Sequence, residues 1–213
     1  TGEVMLRVTA KVRDPKEADT VMAPAMEKIR EAAGAYLYGI DVGNLQTAAV
    51  RLLKEKGLHA AMAESCTGGL VSKRITEVSG ASEVFECGIC TYSNRMKQQF
   101  LHVKEKTLQK FGAVSAETAA EMAEGICAVS GADIGVSVTG NAGPGASEGK
   151  PVGMVFVGVS SKNYTSVISL NIRRTDEDAR DTSAILLHRR QSIRSSKRQN
   201  ERIDQIFEEK SGF

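Results

Sequence analysis

Histidine is scarce in this chain, which has only His59, His102 and His188 among 213 residues. None is close in sequence to a strand-to-helix turn, so a histidine-based mechanism is poorly supplied. If a serine is the nucleophile, a lysine is the better candidate base, once burial or nearby cations lower its pKa. Metal-dependent hydrolysis is weakly supported, because no HExxH or clustered Asp/His spacing occurs. No metal or cofactor is therefore expected. Cysteine is sparse too: Cys66, Cys87, Cys90 and Cys127. The CxxC pair Cys87–Cys90 has no second pair to complete a zinc site, and in a strand its side chains point to opposite faces. All four are expected as reduced, mostly buried thiols in a cytoplasmic protein. No apolar run approaches a membrane span and no signal peptide is visible, so no membrane partner is expected. A net charge of +2 gives no general electrostatic case for nucleic acid. Charge is uneven, however: Arg189, Arg190, Arg194, Lys197, Arg198 and Arg202 crowd the C-terminal tail, which reads as a solvated helix before it reads as a polyanion contact.

What remains is ordinary for a globular protein, with 41% hydrophobic and 25% charged residues. The length suffices for one or two domains with a real core. Val4 to Val12 alternates as a strand. Asp14-Pro15 starts a helix, with Asp as N-cap and Pro at the first position, running to about Ala33 with a break or kink at Pro24. Tyr36 to Ile40 reads as a second strand. A small βαβ accessory domain is thus expected over 1–43. Thr1 already sits in a strand lead-in without an initiator Met, which suggests an internal start of a longer protein.

Asn44 to Lys56 is amphipathic and helical, with Gly57 as its stop. From Leu58 a larger pattern of strands alternating with helices predicts a three-layer α/β/α domain, over 44–190. Strands are expected at Leu58–Glu64, Phe85–Tyr92 and Asp133–Thr139, and a hairpin at Met154–Ser160 and Thr165–Arg173. Helices are expected up to Val78, at Asn94–Leu101, Lys104–Lys110 and Ala116–Val129, and from about Glu177 onward. Residues 191–213 form a charged helical tail.

Three turns are candidate sites. In Glu64-Ser65-Cys66-Thr67-Gly68-Gly69, glycines at a strand-to-helix junction let backbone N–H groups approach an anion, and Ser65 and Thr67 add hydroxyls. Spacing alone serves a plain tight turn equally well. Cys66 reads as a small buried filler before it reads as a nucleophile. The glycine-dense loop from Gly140 to Gly153, with Asn141 and Gly143, leaves the carboxyl end of a strand, where open α/β sheets bind ligands. The third turn is Thr91-Tyr92-Ser93-Asn94-Arg95-Met96-Lys97. Spacing favours N-capping by Ser93 or Asn94 with Lys97 in solvent; the other reading has Tyr92 and Lys97 facing one pocket.

Together AESCTGG (Ala63–Gly69), FECGICTYSNRMK (Phe85–Lys97), FGAVSAET (Phe111–Thr118) and VSVTGNAGPG…KPVG (Val136–Gly153) resemble the C-terminal domain of the CinA, or competence/damage-inducible, family. The likeness covers roughly Leu58 to Arg180. The N-terminal stretch resembles the small linker domain that precedes this module in full-length members, where a molybdopterin-binding-like domain, associated with ADP-ribose pyrophosphatase activity, comes first. The resemblance implies hydrolysis of nicotinamide mononucleotide to nicotinate mononucleotide and ammonia, a pyridine-nucleotide recycling step, by a cofactor-free homodimer. It implies Ser82 as nucleophile, Lys97 as base and Tyr92 as a relay. It implies substrate contacts at Ser65, Thr139 and Arg180, to which the two glycine turns add Thr67, Gly68, Gly69, Gly140, Asn141 and Gly143 as candidate binding positions. Two positions depart from the family pattern. An arginine usual at the start of the last helix falls here at Asp176 or Glu177, with Arg180 matching a second arginine. Asn141 stands where an aliphatic residue is common. An acid in place of a phosphate-binding arginine would repel the substrate, which motivates the alternative of a catalytically weak or inactive module that binds a nucleotide or a protein partner.

Overall fold

A computed structural model describes residues 3–172 of the chain. Arg180, the helix expected from Glu177 and the basic tail lie outside the described residues.

The N-terminal region is helical. Asp14 accepts a hydrogen bond from the Lys16 N–H and opens a 3₁₀ turn, Pro15–Glu17, with Pro at its first position. Helix α1 follows over Ala18–Ala33 and continues through Pro24 as one element, not two. The βαβ expectation is corrected here: neither 4–12 nor 36–40 is a strand. Val4, Met5 and Leu6 are more than 60% exposed. A two-stranded ribbon with no third strand and no covered face is marginal in water, so local β propensity is not enough.

The larger domain is as expected in kind, a mixed α/β layer structure. Helix α2 (Leu45–Lys56) is capped by the Asn44 side chain and ended by left-handed Gly57. Then come β1 (Ala60–Glu64), α3 (Leu70–Thr76), a 3₁₀ turn at Ala81–Glu83, and β2 (Phe85–Cys90). Helices α4 (Asn94–Leu101), α5 (Glu105–Phe111) and α6 (Ala116–Ser130) lead to β3 (Ile134–Gly140), β4 (Met154–Ser161) and β5 (Tyr164–Asn171). The sheet order is β2-β1-β3-β4-β5. Strands β1, β2 and β3 are parallel, β4 runs antiparallel to β3, and β4 and β5 form the expected hairpin.

Strand β1 is buried throughout and its side chains sort onto two faces. Ala60 and Met62 join a core with Val50, Leu53, Val71 and Ile75 from α2 and α3. Ala61 and Ala63 face the other core, with Leu101, Leu108, Met122 and Ile126 from α4, α5 and α6. Burying Leu101, Met122 and Ile126 contributes about 1.5–3 kcal/mol each. Helix α6 lies close on the sheet. A Cβ at Gly158 would come within 2.6 Å of the Ala119 carbonyl oxygen, and Ser137 Oγ donates to that same oxygen at 2.5 Å. Small residues on both layers allow this approach.

All four cysteines are free thiols. Cys87 and Cys90 do point to opposite faces, but the expectation of burial fails: Cys90 is exposed and the other three are half-buried. Strand β2 forms one edge of the described sheet, and its residues alternate between half-buried and exposed. Among the described residues no helix is long and apolar enough to cross a membrane, and no cluster of His, Cys, Asp or Glu could hold a metal ion.

Candidate active site

The alternation of β1 runs past its end and decides the site. Glu64 falls on the face of Ala60 and Met62, toward α3, and Ser65 falls on the opposite face, toward α4.

Glu64 is 1% exposed and its carboxylate accepts five hydrogen bonds. Oε2 accepts from Thr67 Oγ1 at 2.6 Å, the Gly69 N–H at 3.0 Å and the Val71 N–H at 3.0 Å. Oε1 accepts from the Ser72 N–H at 2.8 Å and Ser72 Oγ at 2.6 Å. The chain's own carboxylate thus occupies the position that the first turn offered to a substrate anion. Thr67 and Gly69 are spent on it, and the Gly68 N–H bonds the Ser65 carbonyl. These residues organise the turn.

Ser65 continues the parallel ladder, its N–H donating to the Val138 carbonyl, and the Thr91 N–H donates to the Glu64 carbonyl. Glu64 pairs with Cys90 on one side and Val138 on the other. The next residues, Thr91, Ser65 and Thr139, therefore form a row of hydroxyls across three strands. Neighbours in such a row are spaced by about 4.8 Å. Thr139 is 1% exposed and its hydroxyl donates to the Ala113 carbonyl at 2.8 Å. Thr91 is fully buried, and its Oγ1 has no hydrogen-bond partner among the described residues.

Lys97 lies over this row. Ser93 caps α4 by accepting from the Met96 N–H, as spacing predicts. Lys97 is not in solvent, however, but 1% exposed, on the same helical stripe as Leu101. Its Nζ lies 2.8 Å from the Thr91 carbonyl, 3.2 Å from the Tyr92 carbonyl and 3.1 Å from Ser65 Oγ. Burial pushes the amine below its ordinary 10.5; Cys66, Cys90 and Glu148 partly oppose this by favouring the ammonium. Burial also raises the Cys66 thiol to about 11, so at neutral pH it is a poor nucleophile.

Two resemblance-based placements differ in the fold. Ser82 is exposed in the 3₁₀ turn before β2, whereas Lys97 reaches the residues just after β2. The six residues of β2 separate them, on the order of 20 Å at parallel-strand rise. Within one chain Ser82 and Lys97 share no site; Ser65 is the serine that Lys97 touches. The Tyr92 ring is 76% exposed, and the residue meets Lys97 through its main-chain carbonyl, not its phenol.

Asn141 is an internal brace. Its Nδ2 donates to the Gly145 and Lys150 carbonyls and its Oδ1 accepts from the Gly143 N–H. It ties the ends of the glycine-rich loop together beside Gly140. A cavity of about 460 Å³ between α2 and the end of α3, lined by Asn44, Arg51, Lys54 and Ser79, includes neither Ser65 nor Lys97.

Comparison with known proteins agrees with this architecture. The family model described as "CinA C-terminal domain" matches residues 43–186, and "Damage-inducible protein CinA KH domain" matches residues 1–39. A CinA-like protein of Kosmotoga olearia is 46% identical over 185 residues, 86% of this chain and 45% of that protein. A putative competence-damage inducible protein of Caldicellulosiruptor saccharolyticus is 50% identical over 163 residues, 76% of this chain and 40% of that protein. The chain thus spans under half the length of these relatives. Among solved structures, a competence/damage inducible protein of Agrobacterium tumefaciens shares 35% identity at a TM-score of 0.64, over 71% of this chain and 94% of that one. By motifs, fold and similarity alike, the chain belongs to the CinA family.

Proposed function

We propose that this chain hydrolyses a carboxamide, that of nicotinamide mononucleotide, with Ser65 as nucleophile and Lys97 as its base. The carrying observation is the Lys97 amine, buried against two backbone carbonyls and 3.1 Å from Ser65 Oγ. A neutral amine has two N–H donors and one lone pair. As the ammonium, Lys97 donates to the Thr91 and Tyr92 carbonyls and to Ser65 Oγ; loss of the third proton turns a lone pair toward the Ser65 hydroxyl. Desolvation favours this neutral form.

Ser65 Oγ attacks the carboxamide carbon while Lys97 accepts its proton. The negative charge on the former carbonyl oxygen is met by the N–H groups of Cys66 and Thr67, which follow the nucleophile, point at the Cys66 sulfur in the free protein and exchange it for the oxygen. The C–N bond then breaks, and ammonia departs with the proton held by Lys97. Water attacks the ester, Lys97 again taking the proton, and nicotinate mononucleotide is released with Ser65 restored. The nucleotide identity rests on the family resemblance, as does a homodimeric assembly. A second reading, a weakly active or inactive nucleotide-binding module, is favoured by the acidic Asp176-Glu177 pair where the family carries an arginine.

The test is ammonia release from nicotinamide mononucleotide without added metal. Turnover lost in Ser65→Ala and Lys97→Ala supports the amidase. Saturable binding of the nucleotide with no product from the unaltered chain supports the second reading.

A further inference from the structure

The hydroxyl row holds one side chain that nothing in the resting site uses. Ser65 Oγ meets Lys97, and the Thr139 hydroxyl donates to the Ala113 carbonyl. Thr91 is 0% exposed, yet its Oγ1 has no hydrogen-bond partner among the described residues. A buried hydroxyl left unpaired gives up its bonds to water without replacement. The position itself suits an apolar residue. Strand alternation puts Thr91 on the face of Cys87 and Ile89, which pack against the core of Leu101, Met122 and Ile126. Valine has nearly the same shape, a strong strand preference and no polar atom to satisfy. The sequence places threonine there, next to the reacting pair.

Two contacts fix the residue at the site. The Thr91 carbonyl takes the Lys97 amine at 2.8 Å. The Thr91 N–H donates to the carbonyl of Glu64, the residue before Ser65. The hydroxyl belongs to the same residue as the carbonyl that Lys97 touches, and it rises into the layer from which Lys97 descends. Rotation about Cα–Cβ re-aims Oγ1 within that layer. The reaction creates a need for such an acceptor. An ammonium has three N–H donors. Those of Lys97 go to the Thr91 and Tyr92 carbonyls and to Ser65 Oγ. Once Ser65 Oγ is bonded to the carboxamide carbon, the third donor loses its acceptor while the charge stays buried.

We propose that Thr91 is a positioning residue: its hydroxyl takes the third Lys97 N–H while Ser65 Oγ is tied to substrate, and holds the ammonium in place until its proton passes to the departing nitrogen. This rests on the Ser65–Lys97 reading. The proton balance is unchanged. The proton leaves Ser65 Oγ, rests on Lys97 and goes out with ammonia, and Thr91 keeps its own hydrogen throughout. Cys66, Cys90 and Glu148 also bear on the charge of Lys97. From α6, packed on α4, Glu121 is engaged by Thr107 and the Lys104 N–H. None of these groups is altered in the variants below.

Ser65→Ala reproduces the loss of the third acceptor without any turnover. The experiment titrates the Lys97 side chain by NMR in isotopically labelled wild type, Thr91→Val, Ser65→Ala and the double variant. Thr91→Val alone is expected to leave the Lys97 midpoint in place, since the hydroxyl is idle at rest, and to raise Tm. In the Ser65→Ala background the same substitution is expected to lower the midpoint by about one unit, the worth of a hydrogen bond to a charged group. Thr91→Ser, which keeps the hydroxyl, is expected not to lower it. A merely structural Thr91 would not give this non-additivity. A midpoint that Thr91→Val moves equally in both backgrounds, or in neither, overturns the proposal. So does a lower Tm in Thr91→Val, which would show the hydroxyl paired at rest. On nicotinamide mononucleotide, Thr91→Val is expected to lower kcat about tenfold with KM little changed, and Thr91→Ser to restore it; an unchanged kcat in an active enzyme also overturns the proposal. If the unaltered chain releases no ammonia, the amidase reading fails and the titration still decides the role of Thr91.

Discussion

Lys97 Nζ and Ser65 Oγ stand 3.1 Å apart, although 32 positions separate the two residues in the chain. The contact exists because β1 ends one residue before Ser65 and α4 begins three residues before Lys97. If this pair is the reacting pair, replacing either residue removes the same event. Lys97→Ala is expected to lower kcat by on the order of 10²–10⁴, and Ser65→Ala by at least as much, with KM changing far less. The loss at Ser65 is expected to exceed that at Ser82, which stands at the far end of β2. Steady-state ammonia release from the three purified variants checks this. An inactive Ser82→Ala beside an active Ser65→Ala would reverse the assignment.

The proton inventory of Lys97 gives a pH prediction of defined sign. Its folded pKa is depressed below 10.5, so across the window between the two values the unfolded chain binds more protons than the folded one. Stability therefore rises with pH through that window, and below it the cost of burying an ammonium is fully felt. Lys97→Met is expected to be more stable than wild type near neutral pH, and the difference is expected to shrink as pH climbs toward 10.5. Urea unfolding at several pH values reads this directly. In the active enzyme kcat/KM is expected to rise with pH through the Lys97 midpoint, while Cys66, raised to about 11, stays protonated.

Glu64 makes a prediction about folding. Its carboxylate is the common acceptor for five donors at the start of α3. Glu64→Ala would leave those donors without an acceptor and is expected to cost roughly 3 kcal/mol or more. Glu64→Gln keeps one oxygen but turns an amide toward donors, and an intermediate loss is expected. Denaturant midpoints distinguish the two, and an unaffected Glu64→Ala would show that the turn is organised by something else.

Gly125 tests the packing between α4 and α6. Gly-to-Ala inside a helix ordinarily stabilises by about 1 kcal/mol. Here a Cβ would run into the backbone carbonyl of Leu101, which cannot rotate aside. The expected sign is therefore reversed, with Gly125→Ala losing about 1–3 kcal/mol by overpacking, visible as a lower Tm.

The elements of the larger domain are legible in the sequence. Helix α4 was expected and is found over the same residues, Asn94–Leu101, because Ser93 is a good cap and the turn before it is polar. Gly57 and the Met154 hairpin were equally readable. The site was half legible. Lys97 was expected as a base through the resemblance, while spacing alone placed it in solvent. The available signal was that Lys97 shares its helical stripe with Leu101, an apolar position. Ser65 was expected only to bind substrate. Strand alternation past Glu64 could have separated its role from that of its neighbour, but only once the partner of each face was known. The N-terminal strands failed because propensity for an extended chain says nothing about whether a second sheet face exists to receive it.

Antiparallel neighbours such as β3 and β4 can be joined by two residues, yet here a whole glycine-rich loop sits between them. Ser65 and Lys97, in contrast, depend on the parallel strands β1 and β2 and the crossover that links them. Insertions or deletions in the loop would leave the registers of β1 and β2 untouched. Changes of length in this loop can therefore accumulate without disturbing the dyad, much as a lock can be rekeyed without replacing its bolt.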